Sequence, residues 1–91
     1  MHEKYPYYVV TFPSVHHAIK LEAKLKGQGF PLRLVPVPRE ISSSCGVAAK
    51  VKDTNVDDIK ALIKKNGLEF DAIYIYETPK QKPSLIAEGI H

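Results

Sequence analysis

The feature that most constrains the fold is the order in which strand-like and helix-like segments follow one another. Four segments carry β-branched and aromatic runs or polar–apolar alternation, which favour strands. They are residues 5–12, 31–37, 46–52 and 70–76. Two segments repeat apolar residues at three- and four-residue steps, which predicts amphipathic helices at residues 15–26 and 56–65. The order βαββαβ predicts an α+β two-layer sandwich of ferredoxin-like topology, with a four-stranded antiparallel sheet and two helices on one face.

Residues at the ends of both helices support these limits. Ser14 directly precedes the first helix and is its expected N-cap, while Gly27 and Gly29 are expected to end it. Thr54 and Asn55 are candidate caps for the second helix. That helix carries acidic residues in its first turn and lysines in its last, which complements the helix dipole.

Alternation along the strands assigns residues to the two faces of the sheet. The residues expected under the helices are Val10, Phe12, Val47, Ala49, Val51, Ile73 and Ile75. Tyr7, Tyr74 and Tyr76 are expected on the other, open face. Aromatic residues on an open sheet stack bases in RNA-recognition domains, but the third strand here has none, so no nucleic-acid partner is expected. A homodimer through this face, or cover by the C-terminal tail, explains the tyrosines better.

The chain is expected to be one domain at residues 1–78 with a loosely attached tail at 79–91. Two prolines and the lack of a regular period indicate such a tail, and its Leu85, Ile86 and Ile90 offer apolar contacts to a neighbour. Apolar runs are far shorter than the ~18 residues that span a bilayer, so neither a membrane partner nor secretion is expected. A single cysteine excludes an internal disulfide and favours a reducing, cytoplasmic compartment.

That cysteine, Cys45, lies in the longest predicted loop, residues 36–46. A right-handed crossover would bring the end of the first strand, the start of the first helix and this loop to one edge of the sheet. A helix N-terminus, turn amides and a nearby cation each favour a thiolate. The alternative is a buried cysteine that acts as a small hydrophobic residue.

Several polar residues could assist Cys45 or bind an anion. His16 and His17 point about 100° apart on the helix, so at most one can face the thiol, and both could instead be exposed residues of the first turn. The candidates for substrate or anion binding are Ser14, His16, Arg39, Ser42, Ser43, Ser44 and Gly46. The serines could equally be turn formers, and Arg39 could pair with Glu40 on the surface. One cysteine gives too few ligands for a zinc or copper site, so no metal and no other cofactor is expected.

The segments Phe12-Pro13-Ser14 and Val35 to Ala48, above all Pro-x-Pro-Arg followed by Ser-x-x-Cys-Gly, resemble a known family. It comprises small bacterial domains described as selenium/sulfur carrier protein-like. The resemblance implies that Cys45 is the acceptor thiol and that Ser14, Arg39, Ser42 and Gly46 occupy the other motif positions. Donor and acceptor proteins, including a donor of the cysteine desulfurase type, are implied as partners. Sulfur-relay carriers with a Cys-Pro-x-Pro signature differ, because no Cys-Pro pair occurs here.

Three functions therefore stay open at the level of sequence. The leading one is a non-enzymatic carrier that takes sulfur or selenium on Cys45 as a persulfide-type adduct. The second is a ligand- or anion-sensing or assembly module of ferredoxin-like fold, without covalent chemistry. The third, a soft-metal chaperone, ranks last because the ligands are too few. No acidic residue is placed to orient a histidine towards Cys45, so a catalytic triad is not indicated.

Overall fold

The computed structural model describes residues 5–26, 32–41, 46–52 and 54–89. Its elements in chain order are β1 (Tyr7–Thr11), α1 (Val15–Lys26), β2 (Leu32–Pro36), β3 (Val47–Val51), α2 (Val56–Lys65), β4 (Ala72–Tyr76) and β5 (Ser84–Glu88). All six predicted elements are present, each inside its predicted segment. The class α+β with two helices is confirmed.

The strands form one antiparallel sheet in the order β2-β3-β1-β4-β5. β1 is therefore central, and β3 lies between β1 and β2. Thr11 pairs with Ala48 of β3 on one side and with Ala72 of β4 on the other. The prediction of a four-stranded sheet is wrong, because a fifth strand is added at the β4 edge.

The fifth strand corrects the expectation of a loosely attached tail for residues 84–88. β5 pairs along β4, and Ala87 packs against the core under the helices. The register shifts at Ile86, and in this edge strand Leu85 and Ile86 are 48% and 39% exposed. Directly after β5, the N–H of Gly89 donates to the carbonyl of Asp71 at 2.8 Å. Ile90, the third apolar residue of the predicted tail, lies outside the described residues.

The main core lies between the sheet and both helices. Leu21 and Leu25 of α1 join Ile59 and Ile63 of α2 in one buried cluster with the sheet residues beneath them. Both helices therefore cover the same face, as predicted. Of the expected inward residues, Val10, Phe12, Ala49, Val51 and Ile73 are buried in this cluster, Val47 packs against it and Ile75 is half-buried.

The helix ends follow the local sequence. α1 begins directly after Ser14, whose carbonyl accepts the N–H of His17 at 3.2 Å. α2 is capped by Asn55, whose side chain accepts the N–H of Asp58 at 2.9 Å. Gly27 and Gly29, the expected end of α1, lie outside the described residues. Neither helix of the described chain has the length and apolar character needed to cross a membrane.

Candidate functional site

The candidate site is the loop that joins β2 to β3. The structure describes this loop at residues 37–41 and again from Gly46, where it enters β3. Cys45 and the three serines, Ser42, Ser43 and Ser44, lie outside the described residues. Their roles as acceptor thiol and anion-binding residues therefore stay predictions, and the site is defined structurally by the residues that flank them.

The base of the loop is closed by backbone hydrogen bonds. The N–H of Val37 donates to the carbonyl of Gly46 at 3.2 Å, and the N–H of Ile41 donates to the carbonyl of Pro38 at 3.0 Å, which forms a turn. Gly46 has a φ of 76°, in the left-handed region that favours glycine. The residue bonded to Cys45 on its C-terminal side is thus held both by a hydrogen bond and by a turn that needs glycine.

From its base the loop crosses the face of the sheet opposite the helices. We call this the tyrosine face, since it carries Tyr7, Tyr74 and Tyr76, as predicted. Ile41 is only 5% exposed and belongs to a buried cluster with Val9, Ala48 and Tyr76. Burying an isoleucine side chain contributes about 1.5–3 kcal/mol, so Ile41 attaches the loop firmly. The chain's own loop provides part of the cover that the sequence left to a partner or to the tail, and the homodimer stays a prediction.

Next to Ile41, Glu40 binds Tyr76, the last residue of β4. The Tyr76 hydroxyl donates to Oε2 of Glu40 at 3.4 Å. Burial of the Tyr76 ring raises the pKa of its phenol well above the ordinary value of 10.0, and the negative charge of Glu40 raises it further. The phenol therefore stays protonated near neutrality and remains a hydrogen-bond donor to the carboxylate.

The aromatic rings of the tyrosine face are packed on one another. The rings of Tyr7 and Tyr76 are stacked, with centroids 4.8 Å apart and planes 9° apart. Tyr5 tilts against Tyr7 at 5.2 Å, and Nζ of Lys50 lies 4.3 Å from the Tyr7 centroid, within cation–π range. The surface that the loop contacts is therefore formed by side chains that pack against one another.

The structure brings some of the predicted assisting residues to the loop and separates others. Because Thr11 pairs with Ala48, the chain leading to Ser14 and the chain arriving from Gly46 meet at one edge of the sheet, as predicted. The N-terminus of α1 lies on that edge. His17 instead turns to the segment after α2, where its Nδ1 accepts the N–H of Glu69 at 3.4 Å.

Two other candidates, His16 and Arg39, lie at the surface of the protein. His16 is exposed on the first turn of α1, and Arg39 is exposed on the part of the loop that crosses the tyrosine face. Among the residues that the structure describes, no three His, Cys, Asp or Glu side chains group as metal ligands would.

The attachment of the loop is a feature that the sequence patterns did not predict. By pattern alone, Ile41 belongs to an irregular connection and Glu40 is a partner for Arg39. The available signal was a single large apolar residue between a charged pair and three serines, opposite a face rich in tyrosine. Isoleucine is among the residue types most often fully buried, which favours a contact between this position and the body of the domain.

The fold and the loop define a small α+β domain whose single cysteine lies, in the sequence, between two loop segments that the structure describes as attached. The family model described as putative Se/S carrier protein-like matches residues 7–75, and the chain belongs to this family. The match runs from the first residue of β1 almost to the end of β4 and includes the whole cysteine loop. The predicted resemblance is therefore confirmed. No curated protein and no solved structure matches the chain.

Proposed function

We propose that this protein carries sulfur or selenium on the thiol of Cys45 and passes it to a partner, without catalysing a reaction of its own. The observation that carries the proposal is the family match over residues 7–75, which includes the only cysteine of the chain. We also assign its β2-β3-β1-β4 core to the ferredoxin-like class, extended by β5.

The proposed transfer is an exchange between two sulfur atoms. The Cys45 thiolate attacks the terminal sulfur of a persulfide on the donor, which for a desulfurase sits on its own cysteine. A new S–S bond forms on Cys45, the donor's S–S bond breaks, and the donor cysteine leaves as a thiolate. The attacked sulfur keeps its proton, and because one S–S bond forms as another breaks, no external oxidant or reductant is needed. A terminal selenium would move in the same way, with an S–Se bond formed and an S–Se bond broken.

The surroundings of the loop support a thiolate at Cys45. Gly46, to which the cysteine is bonded, leads into β3 at the same end of the sheet as the start of α1, where the helix dipole is positive. Exposed Arg39 adds a positive charge to the loop. Ser14, His16 and the three serines 42–44 remain our candidates for binding the transferred anion. Each contribution lowers the energy of the thiolate, which is the reacting form.

Uptake of sulfur from a defined donor tests the proposal. The protein is incubated with a cysteine desulfurase and labelled cysteine, and its intact mass is measured before and after reduction. We expect one added sulfur, about 32 Da, that dithiothreitol removes and that Cys45→Ser does not acquire. A wild-type protein without this adduct, and with a Cys45 thiol as unreactive as free cysteine, would overturn the proposal. Intact small-anion binding by Cys45→Ser would then favour the sensing module.

A pair of arginine variants tests the electrostatic part separately. Arg39→Gln removes the arginine charge of the loop, whereas Arg33→Gln removes another exposed arginine, which lies in β2. Both variants change the net charge of the protein by the same amount. We expect Arg39→Gln to raise the pKa of the Cys45 thiol and to slow sulfur uptake, and Arg33→Gln to leave both near wild type. Equal effects of the two variants would exclude a local role for Arg39.

A further inference from the structure

Three residues hold the first described part of the loop, residues 37–41, against the tyrosine face. Ile41 is buried against Val9, Ala48 and Tyr76, and the Tyr76 hydroxyl donates to the Glu40 carboxylate. We call Glu40, Ile41 and Tyr76 the loop anchor. We infer that the loop anchor positions the Cys45 thiol for transfer between proteins, an inference that rests on the proposed carrier function.

The stretch of chain that contains Cys45 runs between two fixed residues. Residues 42–45 join Ile41 to Gly46. Ile41 is fixed by burial at one end, and Gly46 is fixed at the other by the hydrogen bond from Val37 and by the start of β3. A connection of four residues between two fixed points has far fewer accessible paths than one with a loose end. The anchor therefore restricts where the thiol can go.

Loss of the Ile41 contact would lengthen the stretch of chain between the fixed residues on either side of Cys45. If Ile41 leaves the tyrosine face, the nearest fixed residue before the cysteine becomes Val37, whose N–H is bonded to Gly46. Residues 38–41 then join the stretch that leads to Cys45. The thiol would sample more orientations, and fewer of them would match the geometry that attack on a donor persulfide requires.

The hydrogen bond within the loop anchor indicates a role beyond the burial of apolar surface. A buried tyrosine needs a partner for its hydroxyl, and Tyr76, at 8% exposed, finds that partner on the loop rather than on the sheet. The contact spans 36 positions of sequence and joins the loop to β4, which is not a neighbour of β2 or β3. It thus fixes the position of the loop across the sheet, in addition to burying apolar surface.

Two pairs of variants test the inference. Ile41→Ala removes most of the buried side chain, whereas Ile41→Val keeps its branched shape. Tyr76→Phe removes only the hydroxyl that binds Glu40, whereas Tyr74→Phe removes a hydroxyl from the same strand and face. For each variant we compare the rate of sulfur transfer from a desulfurase with the rate of Cys45 alkylation by iodoacetamide. Circular dichroism and Tm report on folding.

We expect Ile41→Ala to lower the transfer rate about tenfold, because orientation is lost, while alkylation stays the same or rises. Ile41→Val should retain transfer to within about twofold. Tyr76→Phe should lower transfer about threefold, and Tyr74→Phe should not change it. If Ile41→Ala does not fold, the tyrosine pair decides.

A lower Tm with unchanged ratios of transfer to alkylation would overturn the inference and leave the anchor a purely structural contact. If even the wild-type protein takes up no sulfur, the carrier proposal fails. The anchor inference, which is stated for transfer between proteins, then fails with it. Uptake by wild type with equal transfer by Ile41→Ala contradicts only the anchor inference. The two failures are therefore distinguishable.

Discussion

Replacement of Gly89 by alanine should detach or distort the fifth strand. Gly89 follows β5 directly, and its N–H donates to Asp71. A Cβ at this position would overlap the carbonyl oxygen of Phe70 and lie 2.8 Å from the carbonyl carbon. Both atoms belong to the backbone, so no side-chain rotation relieves the overlap. The end of β5 or the segment before β4 must move.

The expected cost follows from these two contacts. Forcing an extra carbon into an occupied space typically costs about 1–3 kcal/mol, and weakening the hydrogen bond to Asp71 costs about 0.5–1.5 kcal/mol more. We therefore expect the free energy of unfolding to fall by about 1.5–4.5 kcal/mol. For a domain of this size, that corresponds to a decrease in Tm of roughly 8–24 °C.

Urea unfolding followed by circular dichroism measures this change, and hydrogen exchange locates it. Amides of residues 84–88 should lose protection in Gly89→Ala. The control is Gly46→Ala, whose added Cβ meets nothing within 4 Å but must adopt a φ of +76°. That variant should lose about 1–2 kcal/mol and keep β5 protected. A Gly89→Ala protein within about 0.5 kcal/mol of wild type would refute the close approach of Gly89 to Phe70.

Three further predictions concern the helices, the core and the tyrosine face. Asn55→Ala removes the N-cap side chain that accepts the Asp58 N–H, and it should lower the free energy of unfolding in urea by about 1 kcal/mol. Ile73→Val, at a fully buried position, should cost about 0.5–1.5 kcal/mol, whereas Ile19→Val, at 52% exposure, should be neutral. Because the pKa of Tyr76 is raised on folding, its stabilising contribution should be complete below pH 10 and should decline above it. Spectrophotometric titration should show a late phenol ionisation that Tyr76→Phe abolishes; an unchanged titration curve would contradict this assignment.

The elements that the sequence predicted correctly are those set by neighbouring residues. α1 spans the segment expected from its apolar period, and α2 begins after a cap that Asn55 supplies from the adjacent position. β5 was missed because its position depends on distant residues. Pro83 and the bulge at Ile86 mask its alternation, and its attachment needs Gly89 to approach Phe70. None of these requirements is visible in a window of a few residues.

In the candidate site, too, features set by neighbouring residues were predicted and features set by distant residues were not. The motif around Cys45 was sufficient to predict the family, which the match confirms. The path of the loop was not predictable in the same way, because it is set by Ile41 and Glu40 meeting Tyr76, 35 to 36 positions later in the chain. His17 likewise lies near the motif in sequence, yet it binds the backbone of Glu69. The position of residues near the motif in the sequence therefore identified the loop, but it did not predict which residues the loop contacts.

The central place of β1 has a consequence for how the protein is made. Of the five strands that the structure describes, β1 is synthesised before the others, but its two neighbours, β3 and β4, begin at residues 47 and 72. The side-chain hydrogen bond from Thr11 to Ala72 joins positions 61 residues apart. Contacts of such long sequence separation slow folding, and until β4 emerges β1 lacks its second partner. A chain truncated before residue 72 would expose that edge of β1, which is an open site for pairing with other chains.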